Sequence, residues 1–344
     1  MTRPAMHGAA PEPAAPAGPR VLIVVPTLNE EAHIGEVLAA LLPFARQSGA
    51  RIVVADGGSG DRTAEIVRAV AARAPQVTLM HNPLRLQSAA INLAVDRFGG
   101  GADWLIRIDA HSSYPAGFCG ILLEEAAATG ADVVAISVRA EGAGFWQRVI
   151  AAAQNSRFGN GGAPHRIAPK GRWVDHAHHA LMRIAAFRAV GGYDPAFSHN
   201  EDAELDFRFR QAGYRIWLTA RTQATYYPRR TLRALARQYY NFGRGRARNM
   251  LKHRTLPGLR QALVVALAPA VGLAVLAPLS PVFLAPAALW AATCAGAGVM
   301  LALREGRTEV ALSGLAGAVM HAAWSAGFWA GLLRHGGRPQ AVPA

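Results

Sequence analysis

Two long stretches near the end of the chain contain no charged side chain, and they constrain the fold more than any other feature. No Asp, Glu, Lys or Arg occurs between Gln261 and Leu303, or between Val310 and Leu333. A helix needs about 20 apolar residues to cross a bilayer core, so the first stretch can hold two such helices and the second can hold one. The sequence therefore predicts a transmembrane region at 255–335, with about three helices near 261–279, 282–303 and 310–333. A pair of buried core helices is the alternative, and it is disfavoured by the length of these stretches.

Basic residues are concentrated directly before the first predicted membrane helix. They are Arg229, Arg230, Arg233, Arg237, Arg244, Arg246, Arg248, Lys252, Arg254 and Arg260, in a chain of net charge +14. No nucleic-acid recognition motif accompanies this charge, whereas basic residues on a cytoplasmic flank fit the positive-inside rule and attract anionic headgroups. We therefore expect membrane lipids as partners, no nucleic acid, and a multi-pass protein of the cell inner membrane with a cytoplasmic globular part.

One feature conflicts with three passes. Three crossings that start from a cytoplasmic domain would place Arg334 and Arg338 outside, against the positive-inside tendency. A re-entrant segment or two crossings would remove the conflict. At the other end, residues 1–19 are rich in Pro and Ala and lack an apolar signal-peptide core, which predicts a disordered leader.

Strand and helix patterns alternate along 20–254. The run "VLIVVP" precedes a helical pattern, and "RIVVAD", "VTLMHN" and "DWLIRIDA" are the next strand patterns, with helical patterns between them. Such alternation predicts an α/β fold with a largely parallel sheet, in which ligands bind at the carboxyl ends of the strands. The polar residues that follow three of these strands should therefore converge: Asn29 and Glu30, Asp56, and Asp109 with His111.

The triplet Asp109-Ala110-His111 has two interpretations. Alternate residues of an extended segment point to one side, so Asp109 and His111 could share one metal ion. A short carboxylate also commonly ends a strand, because it accepts hydrogen bonds from the N–H groups of a turn. The triplet alone does not decide between them.

Six motifs in order carry a resemblance to a known family. They are "VVPTLNEE", "VVADGGSGDRT", "NPLRLQSAAIN", "RIDAH", "GGYD" and "NEDAELDFRFRQAG". Together they closely resemble the inverting family 2 glycosyltransferases of GT-A fold, and most of all their ExoA-like branch in bacterial succinoglycan and other exopolysaccharide biosynthesis. The resemblance runs from about Arg20 to Asn249. It implies a Rossmann-like nucleotide-sugar-binding domain over 20–254, which ends in the basic membrane-interface segment.

The resemblance also implies roles for particular residues. Asp56 would hydrogen-bond the uracil or ribose of a UDP-sugar, Arg85 would lie near the donor, and Asn92 would fix the helix that follows Arg85. The implied nucleotide-sugar-binding set is Pro26, Thr27, Asn29, Glu30, Asp56, Gly58, Arg85 and Asp109. Asp109 would be the first acid of the family's Asp-x-Asp metal motif. The third position is His111 here, a departure that the ExoA-like branch shares.

Metal and base chemistry follow from these roles. A divalent ion, Mg²⁺ or Mn²⁺, would neutralise the departing diphosphate, with Asp109 as the firm ligand and His111 as the conditional one. His111 could instead hydrogen-bond the diphosphate or belong to a turn. By resemblance Asp202 is the base that deprotonates the acceptor, with Glu201 beside it. An acidic first turn of a helix is the alternative for these two residues.

The expected activity is sugar transfer from a UDP-sugar, with glucose as the expected sugar, to a polyprenyl-diphosphate-linked saccharide. The alternatives are transfer to polyprenyl phosphate, a processive synthase, and a protein that is not an enzyme, either a catalytically inactive membrane scaffold or a small transporter subunit. The Gln-x-x-Arg-Trp motif of processive relatives is not readable in "QYYNFGRGRARNM", which disfavours the synthase. His176, His178 and His179 lie close together after Asp175, but their spacing fits no closed zinc site, and we expect them to belong to a strand and turn that line the acceptor side.

Overall fold

The computed structural model describes residues 18–163 and 170–335. Its strands are β1 Val21–Thr27, β2 Arg51–Asp56, β3 Val77–His81, β4 Trp104–Arg107, β5 Ser112–Ser113, β6 Val133–Ala140, β7 Arg172–Val174, β8 His178–Arg183 and β9 Ile216–Tyr226. Its helices are α1 Ile34–Ser48, α2 Thr63–Ala71, α3 Gln87–Phe98, α4 Phe118–Thr129, α5 Phe145–Asn155, α6 Arg157–Asn160, α7 Ile184–Ala189, α8 Glu201–Gln211, α9 Leu232–His253, α10 Leu259–Val265, α11 Leu267–Gly272, α12 Ala285–Glu305 and α13 Ser313–His335. Residues 1–17 of the predicted leader lie outside the described residues.

One mixed sheet forms the centre of the globular part. Its described strands follow the order β3-β2-β1-β4-β8-β6-β9-β5, and β7 pairs with β9. The first four strands are parallel, β8 is antiparallel to both of its neighbours, and β9 runs parallel to β6. Helices cover both faces, so strands such as β1 are apolar on both sides and Val21 to Val25 are all buried. The α/β class and GT-A-like arrangement predicted from the sequence are confirmed.

The expected convergence of strand ends is present, but one local prediction is wrong. Thr27 and Asp56 are paired at the carboxyl ends of β1 and β2. β4 ends at Arg107, however, and the chain turns at Ala110 and His111 instead of continuing as an extended segment. The turn is required because Ser112 pairs antiparallel with Tyr226 in β9, which redirects the chain directly after Asp109.

The first predicted membrane helix is broken by a proline. Pro269 has no N–H to donate to the carbonyl of Val265 one turn earlier. That carbonyl accepts hydrogen bonds from the Ser325 hydroxyl at 3.1 Å and the Trp329 indole N–H at 2.8 Å, both on α13. The segment therefore continues as α10, α11 and a 3₁₀ turn at Leu273–Leu276. Side chains of α13 stabilise the break by satisfying the exposed backbone group.

Three segments are long and apolar enough to cross a membrane: Leu259–Leu276, Pro281–Glu305 and Thr308–Arg334. Their packing differs. In the most apolar window of each segment, the buried share of the residues is 0% for the first, 11% for the second and 44% for the third. The third segment is thus covered by protein to a degree that the other two are not.

α13 packs along α9 through glycines on both helices. A Cβ atom added to Gly243 would lie 2.0 Å from the Trp324 carbonyl oxygen, and one added to Gly327 would lie 2.0 Å from the Tyr240 carbonyl oxygen. Only glycine allows backbones to approach so closely. Larger residues at either position would separate the two helices.

The first half of α13 completes an apolar cluster of the globular part. Ala316 and Met320 are fully buried there. They pack with Val149, Ile150 and Ala153 of α5 and with Leu235 of α9. At the start of the third segment, Glu309 lies 3.5 Å from Arg148 of α5. These contacts cross the domain boundary predicted at residues 254/255.

Candidate active site

The Asp56 carboxylate organises the turn that follows β2. Its Oδ2 accepts hydrogen bonds from the backbone N–H groups of Gly58 and Ser59, both at 3.0 Å, and its Oδ1 accepts from the hydroxyls of Ser59 and Thr27. Gly58 has φ +79°, a conformation that a residue with a side chain rarely adopts. Asp56 thereby fixes a short loop whose backbone faces the strand ends.

The loop after β1 is tied to that turn. Asn29, with φ +58°, donates its N–H to the Ser59 hydroxyl at 2.9 Å and accepts from the Gly60 N–H at 2.8 Å. Glu30 donates its N–H to the Thr63 hydroxyl at 2.8 Å. Asn29 and Glu30, which follow the half-buried Pro26, therefore share one rim with Asp56, as the convergence of strand ends predicted.

Arg85 reaches the same rim from the loop after β3. Its Cα lies 3.4 Å from where a Cβ of Gly57 would be, so these two loops are in backbone contact. The following helix is held at its other side by Asn92. The Asn92 amide donates to the Tyr193 carbonyl at 2.7 Å, and its oxygen accepts from the Tyr193 N–H at 2.9 Å.

A buried arginine joins the predicted metal ligand to the predicted base. The Arg107 side chain is only 4% exposed, and its Nε lies 3.2 Å from Asp109 Oδ1. Its Nη1 donates to Asp202 Oδ1 and to the Tyr193 hydroxyl, and the Tyr193 hydroxyl also donates to Asp202 Oδ1 at 3.0 Å. Arg107 and Tyr193 are candidate site residues that the sequence analysis missed.

The charges of this group support one another. Burial alone would lower the pKa of Arg107, but Asp202 and Asp109 outweigh it and raise that pKa well above its usual value. Burial alone would raise the pKa of Asp109, but Arg107 and His178 outweigh it and hold that pKa well below its usual value. Asp109 is thus an anion at neutral pH and is available as a hard oxygen ligand.

The two histidines near Asp109 differ in position. His178, at the start of β8, has its Nε2 3.4 Å from Asp109 Oδ2 and its Nδ1 3.9 Å from Asp202 Oδ2. His111 has a half-exposed side chain, and its Nδ1 lies 3.2 Å from Glu30 Oε1. The hydrogen bond to Glu30 raises the pKa of His111. His178 therefore lies beside both key carboxylates, although the sequence analysis assigned it only to the acceptor side.

The donor set fits a divalent ion that a bound nucleotide completes. Among the described residues, no three His, Cys, Asp or Glu side chains gather as a preformed metal site. Gln87 and Arg107 both donate to Asp109 Oδ1, which leaves Oδ2 facing His178. Mg²⁺ commonly binds through one or two carboxylates plus substrate phosphates. Asp109 with a neighbouring imidazole is sufficient for such a site.

α8 presents two acids at its first turn. Asp202 is held by Arg107 and Tyr193 as described, and Glu201 precedes it. Burial and the neighbouring Asp202 charge raise the pKa of Glu201 to about 7. One turn further along, Asp206 Oδ2 lies 2.6 Å from His176 Nδ1. These acids are therefore more than a helix-start signal, because they are embedded among cations and histidines of other elements.

α8 is also fastened to α9 by a fully buried carboxylate. Glu204 accepts hydrogen bonds from Arg208 at 2.9 and 2.6 Å and from Lys252 at 2.6 Å, and His253 Nε2 lies 3.1 Å from it. Burial alone would raise the pKa of Glu204, but the hydrogen bonds from His253, Arg208 and Lys252 outweigh it and hold that pKa well below its usual value. Asn200 donates to the Phe242 carbonyl at 2.8 Å, which adds a second tie.

A cavity of about 1410 Å³ connects these residues with the membrane-flanking helices. Asp109, His178 and Asp202 line it, as do Leu263 of α10 and Trp324 of α13. The site is thus continuous with the apolar C-terminal region.

Comparisons with known proteins bear on the family of the chain. Residues 22–191 match the model of glycosyl transferase family 2. The chain is 52% identical to the succinoglycan biosynthesis protein ExoA of Rhizobium meliloti (strain 1021), over 91% of this chain and 94% of that one. It is also 39% identical to the undecaprenyl-phosphate 4-deoxy-4-formamido-L-arabinose transferase of Pseudomonas aeruginosa (strain LESB58), over only 35% of this chain and 36% of that one.

A solved structure supports the fold. The mannosyltransferase PcManGT from Pyrobaculum calidifontis, in complex with GDP-Man and Mn²⁺, superposes with a TM-score of 0.61 at 21% identity, covering 93% of this chain and 90% of that one. Its identity is too low to carry more than the fold. The sequence relatives carry the assignment: the chain is a glycosyltransferase and belongs to glycosyl transferase family 2.

Proposed function

We propose that the protein is an inverting hexosyltransferase of exopolysaccharide biosynthesis, acting as the ExoA relative is named to act. It transfers a sugar, with glucose as the first candidate, from a UDP-sugar to a polyprenyl-diphosphate-linked saccharide. The observation that carries this proposal is the cavity of about 1410 Å³, because its lining includes both the acids of the site and the helices that flank the membrane. An acceptor with a lipid anchor and a sugar head matches that lining.

The nucleotide would bind at the rim of the strand ends. Thr27, Asn29, Glu30 and the turn fixed by Asp56 form that rim, and Arg85 approaches it from the loop after β3. Asp109, with His178 or His111, would hold a divalent ion there, which neutralises the charge of the departing UDP. The donor would thus lie with its diphosphate next to Asp109 and its sugar toward Asp202.

Asp202 is the proposed base. Its Oδ1 accepts hydrogen bonds from Arg107 and Tyr193, and the proposed acceptor of the proton is Oδ2, which lies 3.9 Å from His178 Nδ1. These contacts fix the orientation of the carboxylate before the acceptor arrives, which is what a general base requires. Glu201 lies beside it and contributes a second acidic group to the same end of the cavity.

The membrane placement is also proposed. The catalytic part lies in the cytoplasm, and the chain enters the inner membrane as a hairpin made of Leu259–Leu276 and Pro281–Glu305. α13 stays on the cytoplasmic side, because it packs along α9, whose Lys252 contacts the buried Glu204 of the catalytic helix. Two crossings leave Arg334 and Arg338 in the cytoplasm and agree with the positive-inside rule.

A second candidate is transfer to polyprenyl phosphate. The observation in its favour is the similarity over 35% of this chain to an undecaprenyl-phosphate transferase. A single experiment separates the two candidates. Membranes containing the protein are incubated with radiolabelled nucleotide-sugars, and either undecaprenyl phosphate or a lipid-diphosphate-linked saccharide is supplied as acceptor.

Two variants assign the label to this active site. Asp202→Asn keeps the shape of the side chain, and we expect turnover to fall by about 10²–10⁴-fold with little change in UDP affinity. Asp56→Ala should instead weaken UDP binding, because the turn that it orders would be lost. If undecaprenyl phosphate becomes labelled and the lipid-diphosphate-linked saccharide does not, the second candidate is correct. Equal turnover of Asp202→Asn and wild type would refute Asp202 as the base.

A further inference from the structure

Among the described residues that line the cavity, five arginines besides Arg107 face only four acids, Asp109, Asp175, Glu201 and Asp202. The five arginines are Arg157, Arg172, Arg229, Arg246 and Arg260. Arg107 is paired with two of the four acids, Asp109 and Asp202. An excess of cations inside a cavity favours an anionic ligand.

Arg246 is held in place by a residue of the first membrane segment. When the Gln261 amide of α10 is oriented with its oxygen toward the guanidinium, that oxygen accepts hydrogen bonds from Arg246 Nε at 3.1 Å and from Arg246 Nη2. This orientation of the amide satisfies both partners. A neutral amide positions a guanidinium without neutralising it, so the arginine keeps its capacity to bind an anion.

The surroundings leave the charge of Arg246 only partly compensated. Burial and the Arg210 charge both lower the pKa of Arg246, while the Asp206 charge raises it. Asp206 already contacts His176 at 2.6 Å. Because an arginine remains charged in proteins, the cost of its burial is best relieved by an anion that brings its own charge.

The position of Arg246 distinguishes an acceptor from a donor. The donor diphosphate would lie at Asp109, at the carboxyl ends of the strands. Arg246 instead lines the cavity beyond the strand ends and is tied to Gln261 of α10, at the start of the first membrane segment. A lipid-linked acceptor carries its diphosphate between a sugar that must reach Asp202 and a chain that must remain in lipid.

We propose that Arg246, positioned by Gln261, binds the diphosphate of the polyprenyl-linked acceptor. The inference rests on the proposed function, and it adds a binding subsite on the membrane side of the site. The apolar chain would leave the subsite past Leu263 and Trp324, which line the same cavity.

The test measures binding to the full-length protein in detergent by titration calorimetry. Its probes are farnesyl diphosphate, inorganic pyrophosphate and UDP. For Arg246→Gln we expect about tenfold or greater weakening of farnesyl diphosphate binding, since charge-assisted hydrogen bonds contribute about 1.5–3 kcal/mol, and unchanged UDP binding. Wild type should bind farnesyl diphosphate more tightly than pyrophosphate.

Two further variants keep the test decisive. Gln261→Glu retains the shape of the amide but neutralises Arg246, so it should weaken farnesyl diphosphate binding in the same way even if Arg246→Gln folds poorly. Arg237→Gln removes the same charge from an exposed position of α9 and should change neither ligand.

Three results would overturn the proposal. The first is that neither Arg246→Gln nor Gln261→Glu changes the affinity for farnesyl diphosphate. The second is that these variants lose UDP affinity to the same extent, which would assign the subsite to the donor. The third is that wild type binds farnesyl diphosphate no more tightly than pyrophosphate. Because binding is measured without transfer, the subsite can stand or fail independently of the proposed reaction.

Discussion

Arg107 provides the sharpest test of the site's construction. Arg107→Met keeps an unbranched side chain of similar length but removes the cation that contacts Asp109 and Asp202. Those carboxylates have side chains only 12% and 18% exposed, so they would be left as neighbouring buried anions. Removing one partner of a buried ion pair costs about 3–5 kcal/mol. For a domain of this size, each kcal/mol lowers Tm by about 2–4 °C, so we expect a fall of at least about 6 °C.

The matched control is Arg139→Met. Arg139 lies 3.5 Å from Glu141, but both side chains are more than half exposed, and such surface pairs contribute about 0–1 kcal/mol. Its Tm should therefore remain within about 4 °C of wild type. Thermal unfolding of the purified full-length proteins in one detergent, followed by intrinsic fluorescence, measures both variants.

A double variant tests the cause. Asp202→Asn removes one of the anions that Arg107→Met would leave uncompensated, so the double variant should lose less stability than the sum of the two single variants. A Tm fall for Arg107→Met no larger than that of the control would refute the reasoning. If the stability losses of the two single variants simply add in the double variant, the proposed coupling between Arg107 and Asp202 is refuted.

Three further outcomes are expected. His178→Asn should raise the Mn²⁺ concentration for half-maximal transfer more than His111→Asn does. The reason is that His178 lies 3.4 Å from Asp109, whereas His111 is half-exposed beside Glu30. A larger effect of His111→Asn would contradict this prediction. Glu204→Gln should destabilise the protein by about 3–5 kcal/mol at pH 7. Because the folded-state pKa of Glu204 is depressed, ionised Glu204 contributes its full stabilisation above the ordinary pKa of 4.5 and less as the pH falls. The Tm difference between wild type and Glu204→Gln should therefore shrink in acid, and a constant difference would oppose this account. A phosphatase reporter fused after His335 should be inactive and a cytoplasmic fluorescent reporter active, if α13 stays beside α9; the opposite pattern would require a third crossing.

Local patterns predicted most of the elements near the site. The second strand was predicted as "RIVVAD" and is found at Arg51–Asp56, because an apolar β-branched run specifies a buried strand. Arg107 was also within reach of the sequence. A charged residue inside the apolar run "WLIRID", two positions before Asp109, lies on the same side of a strand as that acid and must find a partner when buried.

His178 was out of reach because its position depends on a long-range register. β4 and β8 are antiparallel, with Trp104 opposite Arg183 and Ile106 opposite Leu181. Continuing that register brings Asp109 opposite His178. A shift of one residue would turn the histidine to the other face of the sheet, and a single sequence carries no record of which register is chosen.

The C-terminal region shows the same limit, and it leads to a prediction about truncation. Composition marks α13 as a membrane helix, yet Met320 is fully buried against Val149, Ile150 and Leu235 of the catalytic part. A chain that ends at Arg254 would expose these three side chains. At about 1.5–3 kcal/mol each, the loss is roughly 5–9 kcal/mol, within the whole stability range of about 5–15 kcal/mol for a domain.

We therefore expect the chain that ends at Arg254 to aggregate or to be degraded by protease under conditions where a chain that ends at His335 is resistant. The comparison uses size-exclusion chromatography and limited proteolysis of both proteins in the same detergent. A monodisperse and protease-resistant product ending at Arg254 would show that α13 is dispensable for folding. In that case its contacts with α5 and α9 could not hold it at the cytoplasmic side, and the argument for two crossings would lose its physical basis.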